Sequence, residues 1–188
     1  MRPKPGKDQV QKILGKLYGH PCWDARKGYG SFLTFEFGKP LVTIDEPVRS
    51  WNGKPRVRPA ATKRGAWVHG EWHLWIYCCR WTIHQDGKRL ATSSSGASKM
   101  GDAARQLQGQ ALIGVSVDPK SGDSRFEFDY GGRLETRRWD RTDVQWILHS
   151  PTHRVLEIRG DGKYSDDHET TRCNDTEWKQ RSADWELL

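Results

Sequence analysis

The sequence predicts an α+β fold that is predominantly antiparallel β, with two short helices, in the form of a curved sandwich or an open barrel. Apolar residues recur with a helical period in two short stretches, and they alternate with polar residues in several others, as in strands with one buried face. The same helix-then-strands order occurs twice. This order predicts an internally duplicated unit whose two copies are related by a pseudo-two-fold axis.

Each predicted copy begins with a short amphipathic helix. The first helix follows Asp8, a suitable N-cap residue, and its apolar face consists of Val10, Ile13, Leu14 and Leu17. The second helix has the same spacing, with Met100, Ala103, Ala104 and Leu107. A glycine follows each pattern, at Gly19 and Gly109, where it suits the end of a helix.

Strands are expected after each helix. The sequence Phe-Glu-Phe occurs at 35–37 and again at 126–128, and alternation places the two phenylalanines of each copy on one face. We expect the chain to turn at Gly38 in the first copy and at Gly131-Gly132 in the second. A further short strand should follow each turn, at 41–44 and at 134–136.

A hairpin that begins with tryptophan should end each copy. Trp81-Thr82-Ile83-His84 and Trp146-Ile147-Leu148-His149 are each followed, four residues later, by the start of another strand. The copies therefore run over 8–95 and 98–160, and the whole chain, 1–188, suits one domain.

A tryptophan-rich stretch, residues 67–81, predicts a central strand. One of its faces would carry Trp72, Leu74, Ile76 and Cys78, and the other His73, Trp75, Tyr77 and Cys79. Since both faces are apolar, the interpretation is a strand covered on both sides. The alternative is an exposed aromatic face for a ligand or a protein.

The first copy carries a basic insertion, residues 46–66, which the second copy lacks. Residues 49–65 contain six bases and no acid, together with prolines and one tryptophan, which is typical of a long functional or disordered loop. Lysine and arginine can neutralise phosphates, and tryptophan can stack on an unpaired base. The candidate binding residues are Arg49, Trp51, Lys54, Arg56, Arg58, Lys63, Arg64 and Trp67. A plain solvated loop or a protein-contact loop is the alternative.

Charge is unevenly distributed along the chain. Residues 161–188 contain eight acids and four bases and so have a net charge of −4. Because the whole chain has a net charge of +7, residues 1–160 have a net charge of +11. A basic body with an acidic C-terminal tail is consistent with a polyanionic partner. It is equally consistent with a tail that folds back on the body.

Metal and cofactor sites are not expected. The four cysteines have no C-x-x-C spacing and indicate free thiols. His69 and His73, like His149 and His153, are four residues apart, a spacing that brings metal ligands together on a helix. These histidines lie in predicted strands or hairpins instead, so we expect neither a metal nor a cofactor.

The sequence also predicts a compartment and a general function. The basic N-terminus is not followed by an apolar stretch, and no segment is apolar enough to span a membrane, which predicts a cytoplasmic protein. No nucleotide-binding, hydrolase-elbow or zinc-protease motif occurs, so we expect no enzyme.

The expectation is a non-catalytic module that binds another macromolecule, most simply another protein. Bacterial toxin-neutralising (immunity) and defence-associated proteins often have this profile, and the comparison is an analogy. The first alternative is nucleic-acid binding through residues 49–65. The second is an unrecognised hydrolase or nuclease.

Overall fold

The computed structural model of the chain describes residues 8–46, 64–171 and 176–181. These residues form two antiparallel sheets and two short helices around one hydrophobic core, so the predicted fold class is confirmed. The two sheets are not closed into a barrel. Within the described ranges, neither helix has the length and apolar character needed to cross a membrane.

The element bounds follow the chain order. The helices are α1 (Gln9–Leu14) and α2 (Ala97–Arg105). The strands before α2 are β1 (Cys22–Lys27), β2 (Leu33–Asp45), β3 (Gly65–Ile76), β4 (Cys79–Gln85) and β5 (Lys88–Thr92). The strands after α2 are β6 (Leu112–Val117), β7 (Ser124–Phe128), β8 (Gly132–Arg138), β9 (Val144–His149), β10 (Arg154–Arg159) and β11 (Tyr164–His168).

The two halves of the chain exchange strands. The six-stranded sheet has the order β1-β2-β3-β9-β10-β11, and the five-stranded sheet has the order β5-β4-β8-β7-β6. Each sheet thus contains the three strands that follow one helix, together with two strands from the other half in the five-stranded sheet and three in the six-stranded sheet. The two sheets have equivalent strand orders, because β1-β2-β3-β9-β10 in one sheet corresponds to β6-β7-β8-β4-β5 in the other. Strand β11 is an additional strand at the edge of the six-stranded sheet.

The registers of the two sheets agree as well. The corresponding pairs are Phe35 opposite Leu74, Trp146 opposite Ile76, Phe126 opposite Leu134, and Trp81 opposite Thr136. Both tryptophans and both phenylalanines are buried in the shared core. The strand order and register are those that a duplicated unit produces. The duplication itself stays a prediction, which a superposition of residues 8–95 on 98–160 tests.

The turns after the two helices join the halves. Gly19 and Gly109 each have a φ of +83°, a conformation that glycine adopts without a steric penalty. The amide of Gly19 donates to the carbonyl of Leu112 (2.8 Å), and the amide of Gly109 donates to the carbonyl of Cys22 (2.7 Å). Each helix end is therefore tied to the first strand of the other half.

Two predicted turns have different outcomes. The chain does turn at Gly131, between β7 and β8, as expected. The prediction of a turn at Gly38 is wrong, because this glycine lies inside β2, which runs without a break through 41–44. The pairing of β2 with β3 shifts register between Phe37 and Pro40, so the positive φ of Gly38 serves a bulge that bends the strand.

Only one face of the tryptophan-rich strand β3 is fully buried. Trp72, Leu74 and Ile76 face the core, as predicted. On the other face, Trp75 and Tyr77 are half-buried, so the prediction of a strand covered on both sides is wrong for that face. Among the described residues, neither helix packs closely against β3; α2 packs against β1, at the edge of the sheet. Trp75 and Tyr77 contact each other and Phe32.

The described part of the acidic C-terminal tail folds back on the body. Residues 164–168 are strand β11, and Lys179 forms a bridge to Tyr164 at the edge of that strand. Arg181 is buried against helix α1, where its guanidinium binds the carboxylate of Asp8. The prediction of a tail that folds back is confirmed for these residues, and the polyanionic partner stays a prediction.

Candidate binding surface

A two-stranded ribbon extends beyond the six-stranded sheet. Strand β1 pairs with β2 only over 33–37, and β9 pairs with β3 only over 73–76. Beyond these contacts β2 and β3 pair with each other alone, as far as Asp45 opposite Gly65. We call residues 39–46 and 64–71 the arm. Within the described part of the chain, no strand pairs with the outer edges of the arm.

A buried carboxylate fixes the base of the arm. The side chain of Glu36 accepts a hydrogen bond from the amide of Gly70 (2.8 Å) and another from Nδ1 of His73 (2.7 Å). A Cβ atom at position 70 would lie 2.4 Å from the carbonyl oxygen of Phe37, so only glycine fits there. On the other side of the bulge, the indole of Trp23 donates to the carbonyl of Gly38 (2.9 Å). These contacts fix the direction in which the arm leaves the sheet.

Both faces of the arm expose apolar side chains. Val42 lies opposite Val68 on one face, with Ile44 beside them. The other face carries Leu41 and Trp67. These five residues are between 43% and 67% exposed, and they are five of the nine large hydrophobic residues that are exposed in the described ranges. A two-stranded ribbon is only marginally stable in water by itself, so this concentration of apolar surface indicates a contact site.

Polar contacts along the arm are satisfied internally. Arg64 binds Glu46 with two hydrogen bonds, of 2.8 and 2.9 Å, across the outer end of the described arm. Thr43 and His69 are hydrogen-bonded side by side at 2.7 Å. The charged residues of the arm are Lys39, Asp45, Glu46, Arg64 and Glu71. They sum to about −1 at neutral pH, so the described arm does not carry the positive charge of the chain as a whole.

Only some of the predicted binding residues lie in the ranges that the structure describes. Six of them lie outside these ranges, namely Arg49, Trp51, Lys54, Arg56, Arg58 and Lys63. Arg64 lies on the arm but is already paired with Glu46. Trp67 lies on the arm and is 61% exposed. The structure therefore describes two of the eight positions, both of them exposed, and the binding role of all eight stays a prediction.

Sequence reasoning missed the other apolar residues of the arm. Leu41, Val42 and Ile44 were expected to form a strand, and Val68 to belong to the tryptophan-rich strand, with no binding role for any of them. The sequence did contain a signal for their exposure. Residues 41–44 are apolar on both faces of the predicted strand and lie directly before a long polar insertion, which offers no apolar segment to cover them.

One open groove lies between β1 and α2, with a volume of about 620 Å³. Two of its cations, Arg26 and Arg105, contact Asp24 and Asp102. The described residues that line it include no pairing of a nucleophile with a histidine base. Nor does any group of three His, Cys, Asp or Glu side chains in the described ranges converge as a metal-ligand set.

Comparison of the chain with models of protein families, with curated proteins and with solved structures found no match.

Proposed function

We propose that this protein is a non-catalytic cytoplasmic module that binds another protein through the arm. The observation that carries the proposal is the cluster of five exposed apolar side chains on a ribbon that no other described element covers. The free thiols of Cys22, Cys78 and Cys79 are consistent with a reducing compartment.

The shape of the arm specifies the shape of the partner. Val42 and Val68 are on one face of the ribbon and Trp67 is on the other, so a flat partner surface would leave one apolar face in water. A cleft can cover both faces at once. Within the described ranges no strand pairs with the outer edges of the ribbon, so an extended segment of the partner can add there as a strand. The partner is therefore a protein with an apolar cleft, of the kind that a toxin-neutralising protein blocks.

The energy available from the arm is moderate. Covering the exposed half of five large apolar side chains contributes about 5 kcal/mol in total, at roughly 1 kcal/mol each. Association costs about 4–15 kcal/mol of translational and rotational freedom, so apolar burial alone gives a weak complex. Backbone pairing along the arm edges has to supply the remainder, which is why we expect strand addition as well as side-chain burial.

The test is a comparison of three matched variants. Val42→Thr/Val68→Thr changes one face of the arm and keeps β-branched side chains, while Trp67→Ser changes the other face. Tyr130→Ser removes an exposed aromatic side chain from the β7–β8 turn, outside the arm, and is the control. Each protein is used to retain partners from a lysate of its source organism, and the retained partner is purified and titrated by calorimetry.

The proposal requires that the partner binds the wild type and the Tyr130 control equally and binds both arm variants at least tenfold more weakly. Equal binding by all four proteins, or no retained protein at all, contradicts it. Analytical ultracentrifugation of the wild type alone tests whether the arm binds a second copy of the chain. A dimer that the arm substitutions abolish would identify a second copy of the chain in place of a cleft.

Nucleic-acid binding is a second candidate function, favoured by the basic sequence that connects the two strands of the arm. The arm connects to residues 47–63, whose sequence has five bases and no acid. With about four phosphate contacts on a single strand, log K should fall with log salt at a slope near −3, from about −0.7 per contact.

Variants of the basic segment separate this candidate from protein binding. Arg56→Ala/Arg58→Ala should flatten the salt dependence of oligonucleotide binding, since two phosphate contacts are lost. Trp51→Ala should weaken binding and leave the slope unchanged, since stacking is not ionic. Absence of any effect of these substitutions at about 0.15 M salt, where diffuse attraction is screened, excludes the nucleic-acid candidate.

A further inference from the structure

Two histidines from different halves of the chain face each other on the outer surface of the six-stranded sheet. His73 on β3 and His149 on β9 are directly opposite in the strand pairing. Their ring centroids are 5.7 Å apart, and the ring planes are inclined by 55°. Their side chains are 27% and 34% exposed, so the rings lie in the surface layer and solvent reaches them.

A carboxylate lies beside the Nδ1 atom of each ring. Glu36 is 2.7 Å from Nδ1 of His73, and Glu169 is 3.5 Å from Nδ1 of His149. An ionised carboxylate only accepts hydrogen bonds, so it favours the tautomer that carries the hydrogen on Nδ1 and leaves a lone pair on Nε2. Among the described residues, neither Nε2 atom has a hydrogen-bond partner. Histidines that bind metals in proteins commonly have the second nitrogen bonded to a carboxylate. His73 has such a bond to Glu36, and Glu169 lies at ion-pair distance from His149.

The separation of the rings suits one shared ion. With a zinc–nitrogen bond of about 2.1 Å, each ring centroid lies roughly 3.2 Å from the metal, so two rings at the tetrahedral angle lie about 5.2 Å apart. The observed centroid separation of 5.7 Å is close to this value.

We propose that His73 and His149 together bind one divalent transition-metal ion such as Zn²⁺ through their Nε2 atoms. Glu36 and Glu169 orient the two rings, and water completes the coordination, since imidazole is a ligand that suits Zn²⁺ and its neighbours in the first transition row. This site does not depend on the partner proposed for the arm. It also differs from the histidine pairs within one strand, His69–His73 and His149–His153, for which we expect no metal.

The experiment titrates the purified full-length protein with Zn²⁺ by calorimetry and with Co²⁺ by absorption spectroscopy. The wild type should bind one ion per chain. His73→Ala and His149→Ala should each abolish this binding. His153→Ala is the matched control, because His153 also contacts Glu169 at 3.3 Å and is 75% exposed, yet it lies outside the pair. This control should bind as the wild type does.

Two further measurements keep the outcome decisive. Glu36→Gln should weaken Zn²⁺ binding about 10- to 100-fold, the usual cost of losing a carboxylate that orients a metal-binding histidine. If a variant is unfolded in the absence of metal, the wild type is titrated with Zn²⁺ and followed by the NMR signals of its imidazole groups. Zn²⁺ should shift the signals of His73 and His149 alone.

Several results would overturn the proposal. They are no binding of either ion, binding that survives both His73→Ala and His149→Ala, and equal loss in the His153 control. A thiolate-to-cobalt charge-transfer band would also overturn it, because it would assign the ion to cysteine instead.

Discussion

A buried ion pair holds the C-terminal segment to the first helix, and its removal gives a sharp test of the structure. The side chain of Arg181 has no solvent exposure. Its guanidinium binds Oδ2 of Asp8 through Nε (2.9 Å) and Nη2, and Nη1 donates to the carbonyl of Val117 (2.6 Å). Asp8 also caps helix α1, where its Oδ1 accepts from the amide of Val10 at 3.2 Å. One arginine thus connects the C-terminal segment, α1 and β6.

The expected cost of Arg181→Met follows from these contacts. The substitution retains much of the apolar volume but leaves the Asp8 carboxylate without its partner and the Val117 carbonyl without a donor. Removing one member of a buried pair typically costs about 3–5 kcal/mol. For a chain of this length, that corresponds to a decrease in melting temperature of roughly 6–20 °C. Asp8→Asn in the same background should recover part of the loss, since asparagine still caps the helix and carries no charge.

The assay is urea denaturation of the wild type, Arg181→Met and the double variant, followed by tryptophan fluorescence. Arg64→Met is the control, because Arg64 pairs with Glu46 at 2.8 Å and both side chains are about two-thirds exposed (66% and 64%). An exposed pair contributes about 1 kcal/mol or less. If Arg181→Met costs no more than this control, the C-terminal segment does not pack as described.

Three further predictions concern the core, a thiol and pH. Trp81→Ala and Trp146→Ala should each lower the free energy of unfolding by about 3–5 kcal/mol, because both rings are at most 2% exposed; unchanged urea midpoints would contradict their placement. Burial raises the pKa of Cys22 to about 12, so this thiol should resist alkylation in the native protein while the half-buried Cys78 reacts first, as peptide mass spectrometry can show. Burial lowers the pKa of His149 below 6.5, so the unfolded chain binds more protons than the folded chain between these two values. Stability should therefore fall as pH decreases through that window, and His149→Gln should reduce the slope measured by urea denaturation at each pH.

Local patterns predicted much of the fold because they are properties of single elements. The spacing of apolar residues located both helices, and alternation located the strands around Phe35 and Phe126. Strand β1 was not anticipated, because the sequence of Cys22–Lys27 alternates only weakly. The position of Gly38 was misinterpreted, since a glycine with positive φ serves a bulge as well as a turn and the choice depends on the partner strand.

The candidate sites were harder to predict because they depend on which strands pair. The exposure of Val42 and Val68 follows from the fact that β1 and β9 end before the arm begins, which no pattern within β2 or β3 reveals. His73 and His149 are far apart in sequence, and they meet only because β9 of the second half joins the sheet of the first. Spacing within one segment pairs His73 with His69 and His149 with His153, and it does not pair His73 with His149.

Contact between the arm and a protein partner is tested most directly by site-specific photo-cross-linking in the source organism. A photoreactive phenylalanine is placed at Val42, on one face of the arm, at Trp67, on the other face, and at Tyr130 as the control. A cleft that encloses the arm predicts that positions 42 and 67 cross-link to the same protein and that position 130 does not. Absence of adducts from the arm, or the same adduct from position 130, would contradict the assignment of the arm as the binding surface.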